Sequence, residues 1–323
     1  MTISIDPIIF RLGPFEIRWY GVFITTAIVV GFAITARDAK RRGFNPQDIW
    51  MSMIWTVIGG LIGARLVHVF DNLSYYIQNP GRLFGFQVIG LAIYGALAGG
   101  AGAFVLYMRH RKLPALKLLD CGAVAMPIAQ VVGKFANLIN GDTWGSPTEL
   151  PWGIIYTNPN TMLPNDLLGV PTHPAPIYEQ LWLLLTAAVV WRVRPRLRGD
   201  GQAIILYIIL YSIGRFFISF LRVNNPIFLG LKQAQLLALG VIIVLGPLFI
   251  WLGRRGARDA VAATAAGTGG SLGMQGGRKT ERGPAAAAGA SAKTGQRTGT
   301  AKPPTAAGGA KPRGPSGKKR KKR

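Results

Sequence analysis

The sequence predicts an all-α integral membrane protein: a bundle of seven transmembrane helices with its N-terminus outside and its C-terminus in the cytoplasm. Half of the 323 residues are hydrophobic and the mean hydropathy is +0.30. Apolar runs of about 20 residues, the length that a helix needs to cross a bilayer, recur along the chain. Clusters of Lys and Arg follow alternate runs. We therefore expect a membrane domain over residues 1–253 and a tail over residues 254–323.

The residues before the first run carry isolated apolar groups around Pro7 and Gly13, which predicts a short segment lying at the membrane interface. They lack the basic start of a cleavable signal peptide, so we expect the first run to be a retained helix. The predicted spans are residues 19–36, 48–70, 87–108, 118–140, 176–191, 203–221 and 235–252.

The basic residues predict the orientation of these spans. Lys and Arg cluster after the first, third, fifth and seventh runs, whereas residues 141–174 contain none. Because cytoplasmic loops carry the excess of basic residues, the fourth span should end at the outer surface. The loop 141–174 should be irregular and functional, since loops of this length are uncommon otherwise. Its Trp144, Trp152 and Tyr156 suit the headgroup region.

The composition of the tail predicts disorder, since Ala, Gly, Thr, Pro, Lys and Arg without aromatic residues cannot form a core. Well over half of the net charge of +24 lies in this tail, so the charge does not by itself indicate a nucleic-acid-binding protein. We expect the tail to lie near anionic cytoplasmic lipids; contact with RNA or the ribosome is the alternative. Cys121 is the single cysteine, which excludes an intrachain disulfide and predicts a buried, unreactive thiol.

Polar groups are concentrated where the fourth run ends. Gln130, Lys134, Asn137 and Gly141 are spaced four, three and four apart, so they share one face of a helix. An ionisable group inside a membrane is costly and is a functional candidate for that reason. No carboxylate lies close to Lys134 along the sequence, which favours a phosphate site over an ion pair at this lysine.

A second candidate site lies in the sixth run, where Tyr211, Arg215 and Arg222 are predicted to share a helical face. A lone arginine costs about 2.5–3.5 kcal/mol at the centre of a membrane helix. Glu179 is the main carboxylate in the spans, and Arg65 is a further cation. The excess of positive charge favours an anionic ligand, and guanidinium groups suit phosphate. The alternative is that Arg215 pairs with Glu179 only to hold the bundle together.

Other features have two interpretations each. His173, before the fifth run, is either a base or a hydrogen-bonding group at the interface, and Trp19-Tyr20 is either an interface anchor or part of a site. The glycines around Tyr94 and in the second run predict close helix packing. The chain shows no metal-binding or nucleotide-binding motif, so we expect neither a metal nor a cofactor.

Together these residues resemble the prolipoprotein diacylglyceryl transferase family of bacterial inner membranes, over about residues 10–253. The family signature G-R-x-x-N-x-x-N-G-E-x-x-G is matched by Gly133, Asn137, Asn140, Gly141 and Gly145. The segment 173–179 resembles the family's H-P-x-x-x-Y-E, residues 19–21 match a W-Y-G motif, and Tyr211 with Arg215 resembles its essential Tyr/Arg pair. The chain departs from the family pattern at Lys134 for arginine, Asp142 for glutamate, Tyr94 for histidine and Ser219 for glutamate.

The resemblance implies a reaction. Such enzymes move the diacylglyceryl group of phosphatidylglycerol to the lipobox cysteine thiol of a prolipoprotein, at the extracytoplasmic leaflet and without a cofactor. It implies catalytic roles for Tyr94, Arg215, Tyr20 and Tyr211. It implies phosphatidylglycerol binding by Lys134, Asn137, Asn140, Asp142, Gly145, Arg222, His173 and Glu179. The alternatives are a catalytically degenerate binder of lipoprotein precursors and a transporter of lipids or anions.

Overall fold

The computed structural model describes residues 1–13, 15–82 and 92–272, which with the exception of Leu272 belong to one compact unit, Met1–Ser271. Within these ranges the chain is mainly helical. The helices are α1 (Trp19–Arg41), α2 (Pro46–Asp71), α3 (Leu73–Gln78), α4 (Ile93–His110), α5 (Ala115–Gly122), α6 (Ala125–Asn140), α7 (Ala175–Val193), α8 (Gln202–Ile218) and α9 (Gln233–Leu272). The strands are β1 (Thr2–Ile3), β2 (Ile8–Leu12), β3 (Phe15–Arg18), β4 (Ile155–Tyr156), β5 (Pro226–Phe228) and β6 (Leu231–Lys232).

Four of the described helices are long and apolar enough to cross a membrane: α1, α2, α8 together with the turn that follows it, and α9. The pair α5–α6 gives a fifth if it is one broken span. The two helices meet at an angle of 46°. Pro127 stands in the first turn of α6, just after the break, where the missing N–H of proline is tolerated but the helix cannot continue regularly from the preceding residues. The chain is an all-α membrane protein, as predicted, but the fourth run is not one continuous helix.

The remaining long helices, α4 and α7, match the third and fifth predicted runs but are more polar. Helix α4 is rich in glycine and ends in Arg109-His110, whereas α7 contains Glu179, Gln180 and Arg192. Part of the third predicted run, residues 87–91, lies outside the described residues. Helix α9 continues past the boundary expected at residue 253 and reaches Leu272. The rest of the predicted tail, residues 273–323, is likewise outside the described residues.

The first 18 residues form strands. β1 pairs in parallel with β4, which lies in the loop 141–174, and β2 pairs with β3 as a hairpin. Ile3 is buried with Tyr156, and the Tyr156 hydroxyl donates to the carbonyl of Leu138 at 3.0 Å. Burial and, secondarily, the charge of Asp142 raise the pKa of Tyr156. The expectation that Tyr156 lies among lipid headgroups was wrong, because β1 covers this part of the loop.

Helices α2 and α4 pack closely through glycine. A Cβ atom on Gly63 would overlap the carbonyl oxygen of Gly95, and one on Gly99 would overlap that of Gly59. The predicted packing role of these glycines is therefore confirmed. The Cys121 thiol is buried, as predicted, and the Arg65 guanidinium lies 5.5 Å from the centre of the Tyr76 ring.

The basic ends of the helices meet on one side of the bundle, which we name the basic end. Here Arg111, after α4, pairs with Asp48 near the start of α2 at 3.0 Å. Arg194, after α7, pairs with Asp38 of α1. The Asp120 carboxylate of α5 accepts backbone N–H groups at the start of α8, from Gly201 at 2.7 Å and from Ile204 at 2.9 Å. These contacts join the end of α4 to α2, the end of α7 to α1, and α5 to the start of α8.

Candidate functional site

Four ionisable side chains from separate elements converge opposite the basic end; we name them the Glu179 cluster. Glu179 lies near the start of α7 and is buried. Its Oε1 atom accepts from Arg215 Nη1 at 2.5 Å and is 3.4 Å from Arg222 Nη1. Its Oε2 atom contacts the ammonium of Lys134, which α6 supplies. Arg215 comes from the last turn of α8, and Arg222 follows the turn Ser219–Leu221.

The Glu179 cluster contains three cations and one carboxylate, so it carries two excess positive charges. The side chains of Lys134, Arg215 and Arg222 are 19%, 26% and 14% exposed. Burial and, secondarily, the charge of Arg215 lower the pKa of Arg222, which lies just beyond the last residue of its span. A group of desolvated cations with too few counter-charges is favourable only with a further anion. The geometry therefore suits a ligand that carries a phosphate group.

Two predictions about these cations were wrong. Lys134 has a carboxylate beside it, because α7 packs on α6 and brings Glu179 to it from a distant part of the sequence. Arg222 is not on the face of α8, since that helix ends at Ile218 and Arg222 has an extended backbone. The turn Ser219–Leu221 and the extended backbone of Arg222, rather than helical spacing, direct it to Glu179. The pairing of Arg215 with Glu179, predicted as the alternative, is present but is shared with the other two cations.

The end of α6 is braced by the asparagines of the signature. Gly141 ends the helix with a φ of +68°, a left-handed conformation that glycine adopts readily. Asn137 donates to Asp142 Oδ1 at 2.8 Å. The Oδ1 atom of Asn140 accepts from Arg18 Nη1 at 3.3 Å, and Asn140 is buried. Both asparagines therefore hold the loop that follows α6 and link it to the start of α1.

Gly145 lies where three segments touch. Its N–H donates to the carbonyl of His173 at 3.2 Å, and it forms an isolated antiparallel bridge with Arg222. The next N–H, of Ser146, donates to the carbonyl of Leu221 at 2.8 Å. A Cβ atom on Gly145 would lie 2.7 Å from the carbonyl oxygen of His173 and 2.9 Å from that of Leu221. This close approach requires glycine. It connects residues 141–146, which we name the signature loop, directly to Arg222.

An open, apolar cavity of about 420 Å³ lies beside these segments. Two of its lining residues, Tyr178 and Leu221, directly precede Glu179 and Arg222 in sequence; the complete lining is Trp152, Tyr178, Phe217, Ile218 and Leu221. The indole N–H of Trp152 donates to the Tyr178 hydroxyl at 2.8 Å, and His173 Nδ1 lies 3.4 Å from the same hydroxyl. An apolar chain in this cavity would end close to the charged groups.

The predicted tyrosines are not brought together. Tyr211 is partly buried in α8, within the electrostatic reach of Arg215 and Glu179. Tyr20 lies on α1, close enough to Asp142 for an electrostatic interaction between the two side chains. Tyr94 lies near the start of α4 with 55% of its surface exposed, and none of the described contacts joins it to the Glu179 cluster. The geometry thus places Tyr211 with the cations and Tyr94 apart from them.

Arg18 and Ser146 take part in the site without having been predicted. Arg18 stands directly before the W-Y-G motif, and its position as a lone cation there is a signal in the sequence. Ser146 donates to the carbonyl of Leu221 through its backbone N–H at 2.8 Å and through its hydroxyl at 3.4 Å, and a single serine in a loop gives no such signal. Among the described residues no group of three or more His, Cys, Asp or Glu side chains is arranged to hold a metal ion.

The sequence profile of the prolipoprotein diacylglyceryl transferase family matches residues 7–251, which include every residue of the Glu179 cluster. The chain belongs to this family. It is 38% identical to the phosphatidylglycerol–prolipoprotein diacylglyceryl transferase of Clostridioides difficile, over 73% of this chain and 92% of that protein. It is 34% identical to the protein of the same name from Symbiobacterium thermophilum, over 80% and 97% of the two chains. It is 32% identical to the protein of the same name from Synechococcus elongatus, over 82% of this chain and 94% of that protein.

Proposed function

We propose that this chain transfers the diacylglyceryl group of phosphatidylglycerol to the lipobox cysteine thiol of prolipoproteins, the first step of lipoprotein maturation. One observation carries the proposal: three cations surround a single buried carboxylate beside an open apolar cavity. An anionic lipid has both parts that this arrangement would bind, a phosphate and apolar chains. Family membership supports the same reaction, since the relatives named above are phosphatidylglycerol–prolipoprotein diacylglyceryl transferases.

In this proposal Lys134, Arg215 and Arg222 hold the phosphate of phosphatidylglycerol. Glu179 keeps the three cations together in the absence of lipid, because without it they would repel one another. Asn137, Asn140, Asp142 and Gly145 support the lipid site by holding the loop after α6 against Arg18 and Arg222. Tyr211 would donate a hydrogen bond within the same cluster.

The reaction is a displacement at the glycerol carbon that bears the phosphate ester. The sulfur–carbon bond forms, the carbon–oxygen bond to phosphate breaks, and sn-glycerol-1-phosphate leaves with the electron pair. Cations already fixed where this charge develops stabilise the transition state more than mobile water does.

The attacking thiol must lose its proton, because the thiolate is the nucleophile. Tyr20, Tyr94 and His173 are the candidates for the base. We favour His173, because imidazole is the commonest general base in enzymes and this one stands beside Tyr178 at the cavity and beside Gly145 in the loop. Tyr94, which occupies the position of the family's histidine, is a weaker base at neutral pH and stands apart from the cluster.

We further propose that all seven predicted runs span a bacterial inner membrane, with the N-terminus and the Glu179 cluster at the extracytoplasmic leaflet. The basic ends of α1, α4 and α7 lie together opposite the cluster, which supports this orientation. With 18 and 19 residues, α4 and α7 are roughly 27–28 Å long, close to the thickness of the hydrocarbon core. Arg109 and His110 at the end of α4, and Glu179, Gln180 and Arg192 in α7, lower the hydropathy of these two helices.

The transferase is proposed to consist of residues 1–253, and residues 254–323 are proposed to act as a basic cytoplasmic tail near anionic lipids. We expect no cofactor and no nucleic-acid partner for the reaction. The partners are the membrane, phosphatidylglycerol and the signal peptides of prolipoproteins.

Purified chain incubated with phosphatidylglycerol and a lipobox peptide tests the proposed function, with the peptide mass as the readout. A mass gain equal to one diacylglyceryl group is the expected result, and a cysteine-to-serine peptide is the control. An unchanged mass with measurable peptide binding would instead support a degenerate binder. Lipid movement across vesicles without a modified peptide would support a transporter.

A further inference from the structure

The end of α8 is held by a lysine that lies outside the Glu179 cluster. Lys232 is the last residue of β6 and pairs with Pro226 in the β5–β6 hairpin. Its Nζ atom contacts three backbone carbonyl oxygens. The distances are 2.8 Å to Ser219, 3.4 Å to Phe220 and 2.6 Å to Arg222. The last carbonyls of a helix have no partner within the helix, and a cation there also offsets the negative end of the helix dipole. The ammonium therefore caps the turn that leads from α8 to Arg222.

Lys232 is itself fixed by a fully buried glutamine. Its backbone N–H donates to Gln235 Oε1 at 2.9 Å, and Gln235 Nε2 donates to the carbonyl of Phe216 at 3.3 Å. Gln235 thus connects the start of α9 to the last turn of α8. Since an ammonium has three N–H donors and three carbonyls surround this one, its hydrogen-bonding capacity is used by the backbone. Lys232 is consequently not arranged as a further ligand for an anion.

The capped segment is the one that carries Arg222 to Glu179. On its other side, Ser146 and Gly145 of the signature loop hold Leu221 and Arg222 through the backbone. We propose that Lys232 is a positioning residue, which holds residues 219–222 against the signature loop so that the Arg222 guanidinium reaches the phosphate site. This inference rests on the proposed function, in which Arg222 binds the phosphate of phosphatidylglycerol.

A double-mutant cycle between Lys232 and Arg222 tests this role. Lys232→Met, which keeps the length and removes the donors, should raise KM for phosphatidylglycerol about tenfold and change kcat less than about threefold, as expected when a binding contact is lost. Lys232→Arg, which keeps a cation and donors, should stay within about threefold of the unaltered chain. In the Arg222→Gln background, Lys232→Met should add less than about twofold, because residues that act through one contact are not additive. A full tenfold effect in that background would overturn the proposal.

Amide hydrogen exchange over residues 219–223 separates this inference from the proposed function. Lys232→Met should exchange at least about tenfold faster there than the unaltered chain, because the loss of the cap favours local opening. Lys40→Met is the matched control, since Lys40 is exposed in the last turn of α1 at the basic end. Equal exchange in the two variants would overturn the role of Lys232 whether or not the peptide is modified. If the unaltered chain modifies no peptide, the proposed function fails, and exchange alone then decides whether Lys232 holds this segment.

Discussion

Both ends of the helix bundle carry ion pairs, but they differ in charge balance and burial. At the basic end, Asp38 pairs with both Arg42 and Arg194. Asp48 there is matched by Arg111 alone, and their side chains are 11% and 52% exposed. In the Glu179 cluster, one carboxylate that is 7% exposed is shared by three cations that are each at most 26% exposed. The Asp48–Arg111 pair is neutral and its arginine is open to solvent, whereas the Glu179 cluster has excess charge and is largely desolvated.

This difference distinguishes ion pairs that indicate a functional site from ion pairs that do not. An exposed, matched pair is worth little and needs no ligand. A buried cluster with unmatched cations is costly unless an anion completes it, so its presence favours a binding site. Substitutions in the Glu179 cluster should therefore have larger effects than matched substitutions at the basic end.

Removal of the shared carboxylate should have the largest effect. Glu179→Gln leaves three neighbouring cations without a counter-charge, and the break of a buried pair typically costs about 3–5 kcal/mol. We expect a lower midpoint of thermal unfolding in detergent, partly restored by phosphatidylglycerol, whose phosphate can replace the carboxylate. Glu149→Gln, at an exposed loop position, is the control and should leave the midpoint unchanged. If phosphatidylglycerol does not raise the unfolding midpoint of Glu179→Gln, the Glu179 cluster does not bind the phosphate of the lipid.

Arg215→Gln should reduce transfer by about 10²–10³-fold while the protein still inserts, because loss of one fixed donor to a developing anion has this magnitude. The measurement is the rate at which the lipobox peptide gains mass. Arg111→Gln removes an arginine from the basic end and should change the rate less than about threefold. Comparable losses in the two variants would erase the difference between the two ends.

Gly145→Ala should have an intermediate effect. The added methyl would lie within 3 Å of the carbonyl oxygens of His173 and Leu221, and such overpacking costs about 1–3 kcal/mol. We expect a decrease of about tenfold or more in transfer, because the shift displaces Arg222. Gly102→Ala is the same substitution at a position where the added methyl has open space around it. The transfer rate of this variant should equal that of the unaltered chain. A normal rate in Gly145→Ala would show that this contact does not position the site.

Lys134→Arg should have the smallest effect, and unlike the other substitutions it should strengthen the binding of phosphatidylglycerol. It keeps the charge and adds a fork that can bind phosphate with two hydrogen bonds, so KM for phosphatidylglycerol should fall about two- to threefold. Lys134→Met provides the comparison and should lose most of the transfer activity. A large loss in Lys134→Arg would mean that the compact ammonium is required for the contact with Glu179.

Much of the fold could be predicted because it depends on local composition. Runs of apolar residues locate α1, α2, α8 and α9, and the signature predicts the end of α6 at Gly141. The strand β1 could not be predicted, because its partner β4 is about 150 residues away and only the two together bury Ile3 and Tyr156. The bend between α5 and α6 was missed for a different reason: the apolar run continues across it, and only Gly122 and Pro127 mark the break in the sequence.

The residues of the site were easier to predict than their contacts. Lys134, Glu179, Arg215 and Arg222 stand out in the sequence because charged groups in or beside membrane helices are rare and costly. Their convergence on one carboxylate could not be derived, since it requires the packing of α6, α7 and α8. The importance of Tyr94, taken from its position in the family motif, remains a prediction, and the structure places it apart from the cluster.

The sequence alone thus determined the membrane-protein class, the family and the cations, because hydrophobicity, motif spacing and charge are properties of short segments. The three-dimensional packing was needed to show that Glu179 neutralises one of three cations and that Gly145 touches Leu221 and His173. It also showed that Lys232 caps the turn after α8. Those facts depend on contacts between segments far apart in the chain. Distances of this kind are set by how the helices pack and not by what each helix contains.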